Sequence, residues 1–119
     1  MAERRPERVG HLIQAELAGL FLRANDRRLH EATITAVRMS PDLRVARVYV
    51  RTLAAGAERE PMMRALGRAA HFLRGEVGRA LGLRVTPELR FEYDTTPDTA
   101  RRLDDLLRGG PAAREEDDE

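Results

Sequence analysis

The 119-residue chain contains no cysteine, no tryptophan, no lysine and one serine, Ser40. Without cysteine there are no disulfides, no thiolate nucleophile and no cysteine-based metal site. Ser40 sits in a Ser-Pro-Asp turn with no accompanying His-Asp arrangement, so serine catalysis has nothing to build on. His11, His30 and His71 fall on separate segments with no metal-ligand spacing, and Asp104 and Asp105 adjoin on a predicted helix and so point apart. No catalytic residue, metal, cofactor or small-molecule substrate is expected, and the chain does not read as an enzyme. No run of about 18 apolar residues exists, so no membrane span is expected. The first residues, MAERRPERVG, carry charge but no apolar stretch of a secretory signal, which fits a cytoplasmic protein. Aromatics are confined to Phe21, Phe72, Phe91, Tyr49 and Tyr93, most at core-type positions. That scarcity argues against a base-stacking platform.

Arginine is what the chain has in quantity. All 21 basic residues are arginine, and the net charge of +1 conceals an asymmetry. Residues 1–113 carry 20 arginines against 15 acids, a net +5, whereas the last six, REEDDE, carry −4. A GC-rich genome explains much of the missing lysine, but not the position of the excess. The guanidinium fork offers paired donors to phosphate oxygens, so an arginine-rich surface suits a phosphate-bearing partner.

Hydrophobic periodicity places the elements. Residues 7–24 predict a helix, with Val9, Leu12, Ile13, Leu17, Leu20 and Phe21 on its apolar face. The β-branched segment 32–39 and the alternating segment 43–53 predict two strands joined at Ser40-Pro41-Asp42, hence an antiparallel pair. A helix follows from Pro61, with Met62, Leu66, Ala69, Leu73, Val77 and Ala80 as its buried face and Gly82 as its stop. From Leu83 the period changes to two, predicting a strand over 83–94. A last helix is expected over 98–108, stopped by Gly109-Gly110-Pro111. The expected organisation is a flexible 1–6, one domain over 7–108 with its last helix as an appendage, and a disordered acidic tail over 109–119. The tail is expected to be dispensable for folding and to compete weakly with phosphate for the basic surface. Nothing suggests an obligate oligomer, so a monomer is expected.

The helix after Pro61 carries the most informative pattern. Arg64, Arg68, His71, Gly75 and Arg79 recur at three- and four-residue intervals away from its apolar face. Of the charged side chains from 64 to 84, only Glu76 is acidic; the others are Arg64, Arg68, Arg74, Arg79 and Arg84. Surface helices are commonly charged, and Glu76 can pair locally, yet the bias favours a phosphate-facing surface. A protonated His71 would add to that charge. Arg47 and Arg51 alternate along the second strand as further candidates for RNA, with Arg44 beside them.

The order helix, strand, strand, helix, helix, strand resembles the type-II KH arrangement, α-β-β-α-α-β, an α+β fold with a three-stranded sheet and helices on one face. KH domains clamp RNA backbone through a GXXG loop between two helices. A literal match stands at Gly75-Glu76-Val77-Gly78, but a helix after it would have one turn before Gly82. The match reads better as a decoy. The segments VRMSPDLRVARVYV (37–50), ALGRAAHFLRGEVGRAL (65–81) and LRVTPELRFEYD (83–94) together resemble the ribosome-binding factor A family over about residues 5–108. In that family a helix kink at an Ala-x-Gly motif replaces the GXXG loop. The motif falls here on Ala69-Ala70-His71, with histidine in place of glycine, and Asp26-Arg27-Arg28 stands where the family has Asp-Pro-Arg. The resemblance implies a cytoplasmic, cold-shock-related assembly factor that binds the free small ribosomal subunit and its rRNA and aids 16S maturation, 5′-end processing included. The alternative is a general KH-like module for single-stranded RNA.

Overall fold

The computed structural model describes residues 4–52 and 58–96. The expected helix over 98–108 and the acidic segment over 109–119 lie outside the described residues. The elements run α1 (Arg4–Arg23), α2 (Arg27–His30), β1 (Ala32–Met39), β2 (Val45–Thr52), α3 (Arg59–Leu81) and β3 (Glu88–Tyr93). The sheet order is β1-β2-β3, with β1 and β2 antiparallel and β2 and β3 parallel. Because β2 and β3 run the same way, the chain must cross over between them, and α3 is that crossover.

One core holds the layers together. Ile13, Leu17, Leu20 and Phe21 of α1 meet Ala46, Val48 and Val50 of β2, Met62, Ala65, Leu66, Leu73 and Val77 of α3, and Leu89 of β3. Burying each of the larger side chains stabilises the fold by about 1.5–3 kcal/mol. All the described helices therefore cover the sheet face to which the even-numbered residues of β2 point. The α+β fold with a three-stranded sheet and helices on one face is thus as expected.

Four local expectations change. Leu12 is 53% exposed, because it lies one residue and so about 100° round the helix from buried Ile13. Ala80 is exposed, and its neighbour Leu81 is the residue of the last turn that packs against the core. The two helices expected between the second and third strands are one 23-residue helix. It runs through Ala69-Ala70-His71 without interruption, where neither Gly nor Pro weakens the hydrogen-bond ladder. An additional turn of helix, α2, is capped by Asp26, whose Oδ1 accepts from the Arg28 N–H at 2.9 Å.

The third strand begins at Glu88, not Leu83, and the cause lies in how α3 ends. Gly82 takes the left-handed conformation (φ 61°), and the Leu83 N–H returns to the Gly78 carbonyl at 3.2 Å. The chain then folds back over α3 as a connector. A Cβ added at Gly78 would lie 2.5 Å from the Thr86 hydroxyl, so only glycine lets helix and connector approach this closely. Pro87, fully buried, has no N–H for a ladder. Pairing starts at the next residue, where the Glu88 N–H donates to the Arg44 carbonyl at 2.8 Å. Val85 is accordingly 58% exposed rather than part of a buried strand face. The Gly75-Glu76-Val77-Gly78 tetrapeptide lies wholly inside α3 with Val77 fully buried, so it forms no backbone clamp.

The hairpin between β1 and β2 explains the lone serine. Ser40 Oγ accepts from the Val45 and Arg44 N–H groups at 3.0 and 3.2 Å and donates to Asp42 at 2.7 Å. The Ser40 hydroxyl, followed by the Arg44 N–H, holds the Asp42 carboxyl below its ordinary value.

Two substitutions in α3 separate propensity from packing. Gly67 has open space around it, so Gly67→Ala should stabilise by about 0.5–1 kcal/mol through helix propensity alone. Gly78→Ala gains the same propensity but collides with Thr86, an overpacking cost of about 1–3 kcal/mol, and should lower stability on balance. Thermal denaturation of both variants checks the opposite signs.

Candidate nucleic-acid interface

On α3, the buried seam of Met62, Leu66, Leu73 and Val77 leaves the opposite side of the helix to solvent. Arg64, Arg68 and His71 lie along that side and all are exposed. Arg64 faces Glu60 one turn back at 3.7 Å, and Arg68 reaches Asp26 of the α2 cap at 4.0 Å. Both pairs are solvent-exposed and stabilise by only about 0–1 kcal/mol each. A phosphate can displace such partners at little cost, so the three residues form a usable anion-facing line.

The other candidates are not all in that line. Arg79 continues it about two turns beyond His71 but is ion-paired with Glu76. Arg84 is exposed on the connector beyond the helix. Arg74 points to the flank, where Nε and Nη2 donate to the Thr86 carbonyl at 3.3 and 2.9 Å. Its guanidinium ties α3 to the connector, a structural job rather than a solvent-facing one. Arg59 similarly lies 4.2 Å from the centre of the Tyr93 ring, whose hydroxyl accepts from the Thr52 N–H at 3.3 Å. Arg47 and Arg51 belong to the opposite side of the molecule, on the sheet face that the described helices leave uncovered. Arg47 is exposed and 3.8 Å from Glu92; Arg51 is half-buried.

Two kinds of residue escaped the sequence reading. Phe72 is 62% exposed, on the wall of a cleft of about 440 Å³ that also includes Asn25, Asp26, Leu29 and Arg68. Its position off the buried seam by helical spacing was the available signal. Arg38 and Arg90 join Arg47 on the uncovered sheet face. Strand alternation gives their side, but their alignment requires the strand register. At the far end of that face, Asp94 accepts from the Thr35 hydroxyl at 2.6 Å. That bond is the main cause holding its carboxyl below its ordinary value, with the N–H and hydroxyl of Thr96 and the charge of Arg51 adding to it. Among the described residues, no group of three or more His, Cys, Asp or Glu could hold a metal ion, and no helix is long and apolar enough to cross a membrane.

Comparison with known proteins places the chain in a family. The family profile of ribosome-binding factor A matches residues 5–107. The chain belongs to the ribosome-binding factor A family. Ribosome-binding factor A of Xanthobacter autotrophicus is 44% identical over 115 residues, spanning 93% of this chain and 76% of the relative. That of Maricaulis maris is 42% identical over 104 residues, 84% of this chain and 73% of the relative. The crystal structure of ribosome-binding factor A from Thermus thermophilus superposes with a TM-score of 0.67 at 32% identity, covering 74% of this chain and 94% of that one. A homology model of the T. thermophilus factor, fitted into the cryo-EM map of a 30S–RbfA complex, gives 0.59 at 35% identity, covering 71% and 91%.

Arg68 and Arg74 provide a contrast within one helix. Arg68→Ala should change stability by less than about 0.5 kcal/mol, while reducing the log–log salt slope of RNA binding by one contact, about 0.7–0.9. Arg74→Ala removes two charged hydrogen bonds to a half-buried carbonyl site and should cost about 1.5–3 kcal/mol. Salt-titrated binding and thermal melts of the two variants check the division.

Proposed function

We propose that this chain is a non-enzymatic assembly factor that binds the free 30S ribosomal subunit, contacts its rRNA mainly through phosphate, and aids late 16S maturation, 5′-end processing included. It acts in the cytoplasm, as a monomer, without metal or cofactor. Arg64, Arg68 and His71 make the first contacts, with Arg79 and Arg84 extending the surface at the end of α3. The observation that carries the reading is this exposed basic line on α3 in a chain whose T. thermophilus relative was fitted into a 30S–RbfA complex map. The shape of the surface supports backbone contact: it has several weakly paired guanidiniums and one exposed aromatic, Phe72, beside them.

The alternative, a general KH-like module for single-stranded RNA, needs a backbone clamp between two helices. The glycines that would make it are inside α3, one of them packed on Thr86, and that weighs against it. Gradient sedimentation of cell extract tests the proposal. The protein should travel with free and immature 30S subunits, and migration mainly with 70S ribosomes would contradict it.

A further inference from the structure

The sheet face left uncovered by the described helices carries three arginines in one row. Register pairs Arg38 of β1 with Arg47 of β2, and Arg47 with Arg90 of β3. Their side chains point the same way and are neighbours across strands about 4.8 Å apart. They line a shallow recess of about 290 Å³ with Met39, Ser40 and Val45. Like charges placed directly opposite one another destabilise a sheet, so the row is not explained by folding. Its neutralisation is incomplete. Glu92 lies 3.8 Å from Arg47 and Glu88 3.2 Å from Arg90, both pairs about half exposed, and Arg38 has no ion pair among the described residues.

We infer that this row is a second phosphate-binding site, which takes the backbone of an RNA segment distinct from the one facing α3. Three strands span about 10 Å, wide enough to face two or three successive phosphates of one strand. Guanidinium forks bind phosphate oxygens in pairs and stay charged at any physiological pH. A protein partner fits less well, because a protein interface centres on an apolar anchor. Among the described residues, the exposed large apolar ones, Leu12, Leu22, Phe72 and Val85, lie on the helices or the connector and not on this face. With α3 on one side and the row on the other, the molecule sits between two RNA segments rather than against one. This inference rests on the small-subunit reading above.

The test compares wild-type protein with Arg38→Gln/Arg90→Gln in 30S binding from 0.05 to 0.5 M salt. Loss of two duplex contacts makes the log–log slope shallower by about 1.8, so wild type loses about sixtyfold more affinity than the variant over that range. The variant's melting temperature at low salt should equal or exceed that of wild type, since the like-charge row is relieved. Wild-type binding with an unchanged slope in the variant overturns the second site alone; no 30S binding by wild type overturns the small-subunit reading with it. A measurement on wild type needs no variant to fold. Phenylglyoxal modification read by mass spectrometry should show Arg38 and Arg90 protected both by 30S subunits and by a plain RNA duplex. Protection by subunits but not by the duplex would assign the row to a protein partner and overturn the inference, as would full reactivity in both complexes.

Discussion

At the end of α3 the helix backbone at Gly78 comes so close to Thr86 that a single added carbon would lie 2.5 Å from the threonine hydroxyl, and the start of β3, with the charges it brings to the sheet face, follows from this seat. Arg74 locks it from the side by donating twice to the Thr86 carbonyl. Buried Pro87 then ends the connector, and the Glu88 N–H begins the ladder at the Arg44 carbonyl. That starting point sets the register of the parallel pair β2–β3, which places Arg90 beside Arg47. A slip of one residue would exchange every side chain of β3 between core and solvent. The buried seam of Met62, Leu66, Leu73 and Val77 holds the length of α3 down on the sheet, leaving Arg64, Arg68 and His71 along its outer side. The contact between Gly78 and Thr86 thus bears on what the sheet face presents, and the apolar seam on what α3 presents.

The arginines divide by what they touch. Arg59 and Arg74 are spent on an aromatic ring and a carbonyl and belong to the fold. Arg64, Arg68, Arg47 and Arg90 hold only exposed carboxylates at 3.2–4.0 Å, interactions worth little in water and weakened further by salt. Such pairs keep the surface from being strongly repulsive, and a competing phosphate can displace them at little cost. Because each phosphate contact releases counterions, affinity built this way is strongly dependent on salt and spread over many residues. A binding mode of this kind reads the shape of a folded RNA and not its base sequence.

Much of the fold could be read in the residues. Period-two and period-3.6 patterns located three strands and the two long helices, and the change of period at Gly82 marked the end of α3 where the structure has it. The start of β3 was misplaced because Leu83 and Val85 alternate like a strand. Only the tertiary contact of Thr86 with Gly78 shows why they are not one. The Ala69-Ala70-His71 stretch, where the family resemblance places a helix kink, contains two alanines, the strongest helix formers, and lies inside one continuous helix. For the surface, helical spacing was enough to align Arg64, Arg68 and His71, since i, i+4 and i+7 share a side by geometry. It could not show that Arg74 turns back to a carbonyl twelve residues on. Arg38 and Arg90 were invisible as a pair of neighbours, because β1 and β3 are not paired with each other and their alignment passes through the register of β2.

The central claim is that phosphates of small-subunit rRNA meet the outer side of α3, and crosslinking in cells tests it most directly. Ultraviolet crosslinking of the protein in growing cells, followed by sequencing of the bound RNA and mass spectrometry of the crosslinked peptides, reads both partners at once. The account predicts RNA dominated by 16S sequence clustered in a few places, with crosslinks in the α3 peptides spanning residues 64–71. Fragments scattered over messenger RNA, or 16S crosslinks that avoid α3, would contradict it.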